Sequence, residues 1–389
     1  MKHILLMSHK MNLGGTEKAM LSFIGAIKGK GVKVTVLLLE DGGALRDEIP
    51  DWVDVQILEL FDSIKPIIFD PPLDLIKQQL KKKEISKSIG TVVRYAKVKL
   101  SKSWYHNYAA ALASYTSIYS ADIAIAYAGP SDFISYFILN YVVAPKKYQW
   151  IHFDVSKVLF NTNFGNKFYA QFDTIFCVSE NAKIIFDKMF TQLSSKTVVF
   201  KNIVSSEELN CLATSGSTFD DGFDGLRILT VGRLSGEKGQ QMIPAIVSKL
   251  KKKNLKFRWY LIGDGDLYNK ISAAVIQLEI SDSLILLGSQ NNPYPYMKDC
   301  DLYVQTSFHE GYCLTVHEAK IFNKPVVTTN VASAVNLIVH NEDGLIVDIN
   351  EDAIYDGVKL LMDRDDLRFL FAKNLKATDT ITEIDKIFF

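Results

Sequence analysis

Four charged side chains in the second half of the sequence are the first to suggest chemistry. Arg233 and Lys238 stand in the run 231–239 (Val-Gly-Arg-Leu-Ser-Gly-Glu-Lys-Gly), where glycines leave the loop free to bend. Arginine grips phosphate oxygens with a fork of donors and lysine adds a compact charge, so the pair could cradle a phosphate. A surface loop whose cations pair with acids such as Glu237 fits the same spacing. Glu310 and Glu318 lie eight positions apart in 310–318 (Glu-Gly-Tyr-Cys-Leu-Thr-Val-His-Glu). A helix starting near Cys313 would aim its amides and dipole at an anion. Eight helical rises cover roughly 12 Å, comparable to the reach from a hexose across a diphosphate to a ribose. The two carboxylates could then hold hydroxyls at both ends of a sugar nucleotide, although solvated or capping residues look the same.

If a nucleoside diphosphate departs, negative charge grows on its oxygens, and fixed cations lower that barrier and can substitute for a metal ion. His309 and His317 stand beside the two glutamates, but adjacent residues on a helix face different directions, so no metal site is expected.

These residues must be positioned by an alternating α/β framework. The stretch 3–8 reads as a strand, Gly14-Gly15 as the turn and Thr16 as the N-cap of a helix to about Lys28. The run 32–39 is apolar and β-branched, as suits a parallel strand covered on both faces. Segments 121–127, 147–152, 174–178 and 197–201 repeat the pattern. A polar, glycine-rich stretch, 214–225, interrupts it, and a second series follows at 226–231, 257–262, 284–287, 302–305 and 325–328. The expected fold is α/β, two Rossmann-like domains facing across a cleft. The boundaries expected are 1–205 for a first Rossmann-like domain, 206–225 for a linker and 226–372 for a second Rossmann-like domain. A tail, 373–389, is expected to pack back on the first domain.

Composition narrows the classes. A chain of 389 residues favours two domains. Lysine plus arginine balances aspartate plus glutamate at 44 each, which disfavours a nucleic-acid binder. Four scattered cysteines with no C-x-x-C pair argue against a disulfide framework and fit a reducing, cytoplasmic compartment. The apolar start ends at Ser8-His9-Lys10 and reads as a buried strand rather than a signal peptide. The apolar run 133–144 is too short to span a bilayer. One segment departs from charge balance: 77–102 is lysine-rich, has Glu84 as its one acid, and interleaves Leu80, Ile85, Ile89, Val92 and Val93. It reads equally as a basic amphipathic helix on an anionic membrane or as a solvated helical hairpin.

The order of motifs carries a resemblance. The runs "VGRLSGEKGQ", "LIGDGD", "LLGSQNNPYPYMKDCDLYVQTSFHEGYCLTVHEAKIFNKPVVTT" and "DGLIV" resemble the C-terminal domain of the GT-B-fold retaining glycosyltransferases of family 4 (glycosyl transferases group 1). Gly14-Gly15, "YQWIHFD" and "FCVSENAK" agree more loosely in the first half. The resemblance implies that Glu310 contacts donor-sugar hydroxyls and Glu318 the ribose. It implies that Arg233 and Lys238 bind the diphosphate, with backbone amides of Gly311, Tyr312, Cys313 and Leu314. Gly14 and Gly15 would line the site from the first domain, His152 would sit near the reacting centre, and Asn202 would precede the linker. The triplets Asp264-Gly265-Asp266 and Asp299-Cys300-Asp301 are absorbed without a metal, and no cofactor is implied beyond the donor, expected to be UDP-linked.

The expected reaction is hexosyl transfer, with retention, from a nucleoside diphosphate sugar to a glycan or polyprenyl-linked glycan acceptor in surface polysaccharide assembly. No carboxylate nucleophile is identifiable, so front-face substitution assisted by the departing phosphate is expected. The protein would be cytoplasmic or peripheral at the cytoplasmic membrane face. The alternatives are another GT-B enzyme, such as a nucleotide-sugar epimerase or a phosphorylase, or an inactive sugar-nucleotide-binding protein. A Rossmann oxidoreductase is disfavoured, because the first strand leads to Gly14-Gly15 rather than G-x-G-x-x-G.

Overall fold

The structure, a computed structural model, describes residues 1–156, 162–253, 255–376 and 379–388. The chain forms two compact units, Met1–Lys201 and Asn202–Phe389.

The first unit is built on seven parallel strands: β1 (Lys2–Ser8), β2 (Val32–Leu38), β3 (Asp54–Ile57), β5 (Ile123–Ala126), β7 (Lys146–Ile151), β8 (Thr174–Cys177) and β9 (Thr197–Val199). A separate parallel pair is formed by β4 (Tyr119–Ser120) and β6 (Val142–Val143). The sheet order is β3-β2-β1-β5-β7-β8-β9. Five consecutive residues of β1 and of β2 are buried, because helices cover both faces of the sheet. One side holds an aromatic core of Phe133, Phe137, Phe164, Tyr169, Phe172 and Phe186.

Most strands expected from sequence are present within two residues of their expected ends. The half-buried edge strand β3 and the two-residue pair carry too few apolar residues to announce themselves. Thr16 is not the cap of the first helix, Gly15–Ile27. Gly14 is its N-cap in extended conformation, with its carbonyl accepting from Lys18 N at 3.0 Å. The basic segment forms two helices, Pro72–Lys81 and Ile85–Ser101, joined through Lys83 at φ 60° and tied by Thr91 Oγ1 donating to Gln79 Oε1.

The second unit has six parallel strands, β10 (Leu226–Val231), β11 (Phe257–Ile262), β12 (Leu284–Gly288), β13 (Leu302–Gln305), β14 (Val326–Thr329) and β15 (Leu345–Val347), in the order β12-β11-β10-β13-β14-β15. One layer packs Trp259, Leu261, Ile246 and Val358. The other packs Tyr260, Tyr303, Met297 and Val316.

Residues 206–225 are not the free linker expected from their polarity. They contain the helix Ser206–Thr214, capped by the Ser205 hydroxyl, and belong to the second unit. Asp221 fastens the glycine-rich part to the strands. It accepts from Tyr260 OH at 2.6 Å and from Arg258 at 2.7 Å, and its carboxyl lies well below the usual range. Burial opposes that shift, and the Tyr260, Phe223 amide and Arg258 donors overcome it. The end of the chain is anchored beside this helix. Thr380 Oγ1 donates to Asn202 O at 2.7 Å and accepts from Val204 N at 2.8 Å, and Asp379 accepts from Ser206 N at 2.8 Å. Residues 377, 378 and 389 of the expected tail lie outside the described residues.

Candidate active site

In a parallel α/β sheet, ligands bind beyond the carboxyl ends of the strands where the strand order reverses. In the second unit that point lies between β10 and β13, and the two loops leaving those strands are 232–239 and 306–313. They are the loops that carry Arg233, Lys238 and Glu310.

The first loop turns tightly and leans on the second. Gly239 adopts φ 71°, and a Cβ there would stand 2.0 Å from the Thr306 carbonyl oxygen. Only glycine fits this left-handed, crowded position without strain. Phe308 N donates to Glu237 O at 2.9 Å, and Thr306 Oγ1 donates to Lys238 O at 2.9 Å, so the loops share backbone bonds.

Across this contact the Lys238 ammonium donates to both carboxylate oxygens of Glu310, at 2.7 and 2.9 Å. The partner of Lys238 is thus Glu310 and not Glu237. The Glu310 side chain is about 10% exposed, and two more donors serve it: Ser307 Oγ at 2.6 Å and Gln305 Nε2 at 2.9 Å. Gln305 is in turn fixed by Tyr303 OH and Thr315 Oγ1, which donate to its carbonyl oxygen at 3.0 and 3.2 Å. Arg233 is exposed, and among the described residues its guanidinium forms no ion pair. One cation is therefore neutralised and locked in place while the other stands open to an anion.

The helix after Glu310 runs over Leu314–Ile321, with Cys313 as its N-cap in left-handed conformation at φ 55°. The expectation that eight helical rises separate Glu310 from Glu318 does not hold. The left-handed turn breaks the helical path, so Glu310 belongs to the loop. Ser333 Oγ, 3.0 Å from Cys313 Sγ and donating to Glu310 O at 3.1 Å, pins that turn. The first-turn amides of Leu314 and Thr315 have no acceptor within the helix, so they are donors available to an acceptor outside it. Glu318 lies on the buried face of this helix, 3% exposed, and accepts from Tyr294 OH at 3.0 Å. Tyr312 OH is 3.0 Å from His317 Nδ1, which gives that histidine a structural partner. Among the described residues no three His, Cys, Asp or Glu side chains group as metal ligands.

In the first unit, Gly14 and Gly15 follow β1, and His152 follows β7 at the same carboxyl edge of the sheet. A Cβ on Gly15 would meet nothing within 4 Å, so the helix start is open. His152 is 6% exposed, its ring nearly parallel to Trp150 (14°) with centroids 6.1 Å apart and 4.8 Å from Tyr127. Burial pushes its pKa down to about 3, against a hydrogen bond to the Tyr127 backbone. Its Nε2 is buried without a hydrogen-bond partner among the described residues. His152 is thus a neutral imidazole with one unused nitrogen.

Gln305, Ser307, Thr315 and Tyr294 were missed by sequence reasoning. Gln305 had a signal, since a glutamine closing the apolar strand 302–305 must be satisfied inside the protein.

Residues 223–378 match the family described as Glycosyl transferases group 1. Among curated proteins, the chain is 30% identical over 200 residues to the N-acetylgalactosamine-N,N'-diacetylbacillosaminyl-diphospho-undecaprenol 4-alpha-N-acetylgalactosaminyltransferase of Campylobacter jejuni, covering 51% of this chain and 52% of that protein. It is 25% identical over 257 residues to an uncharacterized glycosyltransferase of Methanocaldococcus jannaschii, covering 57% and 62%. The chain thus spans about half to three-fifths of these curated relatives' length. Among solved structures, Anabaena HepE in complex with UDP and glucose aligns with TM-score 0.70 and 16% identity, covering 100% of this chain and 98% of that one. Staphylococcus aureus TarM aligns with TM-score 0.69 and 14% identity, covering 100% and 99%. Residues 223–378, within the second unit, are thus similar to glycosyl transferases group 1, in a chain whose two Rossmann-like units have the fold of GT-B glycosyltransferases.

Proposed function

We propose that the protein is a glycosyltransferase of polysaccharide assembly, moving a hexosyl group from a nucleoside diphosphate sugar to a glycan or polyprenyl-linked glycan acceptor. The observation that carries this reading is the Lys238–Glu310 pair beside the open Arg233, at the strand-order reversal of the second unit. Arg233, Lys238 and the amides of 311–314 take the diphosphate, and Glu310 takes sugar hydroxyls. Glu318, held by Tyr294, takes the ribose. Within the first unit, Gly14, Gly15 and His152, with its unused nitrogen, are the residues to which this reading assigns a part in the reaction.

Charge that develops on the leaving diphosphate meets fixed cations, so the reaction needs no metal in this reading. Transfer proceeds with retention by front-face substitution, the departing phosphate helping to deprotonate the acceptor. The solved relatives crystallised with UDP support a UDP-linked donor. A relative named for a diphospho-undecaprenol substrate supports a lipid-linked acceptor, met at the cytoplasmic face of the membrane.

The test is a screen of nucleotide sugars for thermal stabilisation and slow hydrolysis, with and without chelator. One UDP-sugar is expected to stabilise the protein and turn over in both conditions. Stabilisation by none of them sinks the donor assignment, and activity abolished by chelator sinks metal independence.

A further inference from the structure

The helix Ile85–Ser101 has its amphipathicity reversed. At 100° per residue, Ile85, Ile89, Val92, Val93, Ala96 and Leu100 fall on one stripe, and all six are exposed. Leu100 is 87% exposed, Ile85 63% and Ile89 60%. The opposite face packs into the unit, and its buried residues are Ser88, Thr91 and Val98. The two hydroxyls are satisfied within the hairpin: Thr91 Oγ1 donates to Gln79 Oε1 at 3.0 Å, and Ser88 Oγ to Glu84 O at 3.3 Å. A helix that merely covered a core would do the opposite and turn its isoleucines and valines inward.

Charge frames the stripe. On the helical wheel Lys99 borders it on one side and Lys97 on the other, and Lys81, Lys82 and Lys83 crowd the turn before it. The one acid of the segment, Glu84, is already paired with Lys87 at 2.7 Å. An apolar stripe ringed by lysines on an otherwise polar helix is the pattern that lies at a bilayer interface. The lysines around it complement anionic headgroups. Among the described residues no helix is long and apolar enough to cross a membrane, so this one would lie in the interface plane.

We propose that the stripe 85–100 is a docking surface for an anionic lipid bilayer, with Ile85, Ile89, Val92 and Leu100 entering the hydrocarbon edge and the flanking lysines resting on headgroups. Such a surface holds the enzyme where a lipid-linked acceptor is found, and in that respect it rests on the function proposed above.

Flotation of the full chain with phosphatidylcholine vesicles, with and without phosphatidylglycerol, tests it. Wild-type protein binds the phosphatidylglycerol vesicles. Ile85→Ser/Ile89→Ser/Val92→Ser abolishes binding, and Lys97→Gln/Lys99→Gln weakens it by roughly tenfold or more, each lysine near such a surface being worth about fivefold. All substituted side chains are exposed, and stabilisation by UDP, measured on the same samples, reports on the separate donor site. Equal flotation with both lipids, or a serine variant that floats like wild type, overturns the proposal. So does a wild-type dimer that the serine variant converts to monomer, since the stripe would then join two copies. Vesicle binding without UDP stabilisation would keep the docking surface and sink the donor assignment.

Discussion

At the scale of residues, the candidate site is a matter of which cation is spoken for. Lys238 is bidentate on Glu310, while Arg233 stands open. The locked lysine costs little to organise when charge develops beside it, and preorganised charge is what stabilises a transition state. Lys238→Ala is expected to lower kcat/KM by about 100- to 1,000-fold, most of it in kcat. Glu318→Ala is expected chiefly to raise KM, because it removes binding common to ground and transition states. Steady-state kinetics with the donor found in the screen separate the two, and a Lys238→Ala enzyme as fast as wild type would remove lysine from the diphosphate site. Gln305 is a positioning residue. It donates to Glu310 and is itself held by Tyr303 and Thr315. Gln305→Leu strands those buried hydroxyls and costs about 1–3 kcal/mol of stability. Gln305→Glu replaces the Nε2 donor with a second carboxylate facing Glu310, and like-charge repulsion draws Glu310 off its place on Lys238, so kcat/KM is expected to fall by about tenfold or more in a protein that still folds. A folded Gln305→Glu enzyme with wild-type kcat/KM would show that Gln305 is structural packing alone.

At the scale of elements, two loops and one helix end decide whether those side chains meet. The loop 232–239 closes on 306–313 only because Gly239 can adopt φ 71° with the Thr306 carbonyl where a Cβ would be. Gly239→Ala must either push that carbonyl away or open the loop. A destabilisation of about 1–3 kcal/mol is expected, together with loss of UDP-induced thermal stabilisation, because Lys238 precedes the glycine directly. Denaturant unfolding and a thermal shift with UDP measure both, and an alanine variant that keeps both at wild-type level would show that the loop contact is dispensable. The left-handed Cys313 does comparable work on the other loop. It ends the irregular path from Glu310 and starts the helix that carries Glu318 inward.

At the scale of the whole molecule, the chain is two parallel-sheet units, each with its strand order reversing beside its first strand, β1 or β10. The stability of the first unit should carry the mark of His152. Its pKa in the folded state is about 3, below the ordinary value of about 6.5, so between those values the unfolded chain binds the extra proton. Stability contributed by the neutral ring is fully present above the unfolded value and is lost as pH falls through this window, by up to about 1.4 kcal/mol per pH unit. His152→Phe keeps a ring packed against Trp150 and Tyr127 and removes the titration. Its unfolding free energy is expected to fall less steeply with acid than that of wild type. Parallel slopes would mean that His152 titrates normally.

The sequence by itself determined the alternation of buried strands and helices, because continuous runs such as 32–38 and 257–262 can be satisfied only by a sheet covered on both faces. It also determined the motif order that brought Arg233, Lys238, Glu310 and Glu318 to notice, since glycines and charges at the ends of apolar strands are a local pattern. Only the tertiary structure decided what those residues do to one another. Lys238 and Glu310 are 72 positions apart, and their contact exists because β10 and β13 are neighbours in the sheet. The Glu310–Glu318 spacing misled for the complementary reason: one left-handed residue, Cys313, cancels a helical rise that sequence periodicity assumes. In the same way the apolar residues of 85–100 are legible as a helix face, but the side of that helix turned to the outside is chosen by what packs against Ser88 and Thr91. Local composition specifies elements, and the sheet order specifies which of their side chains meet.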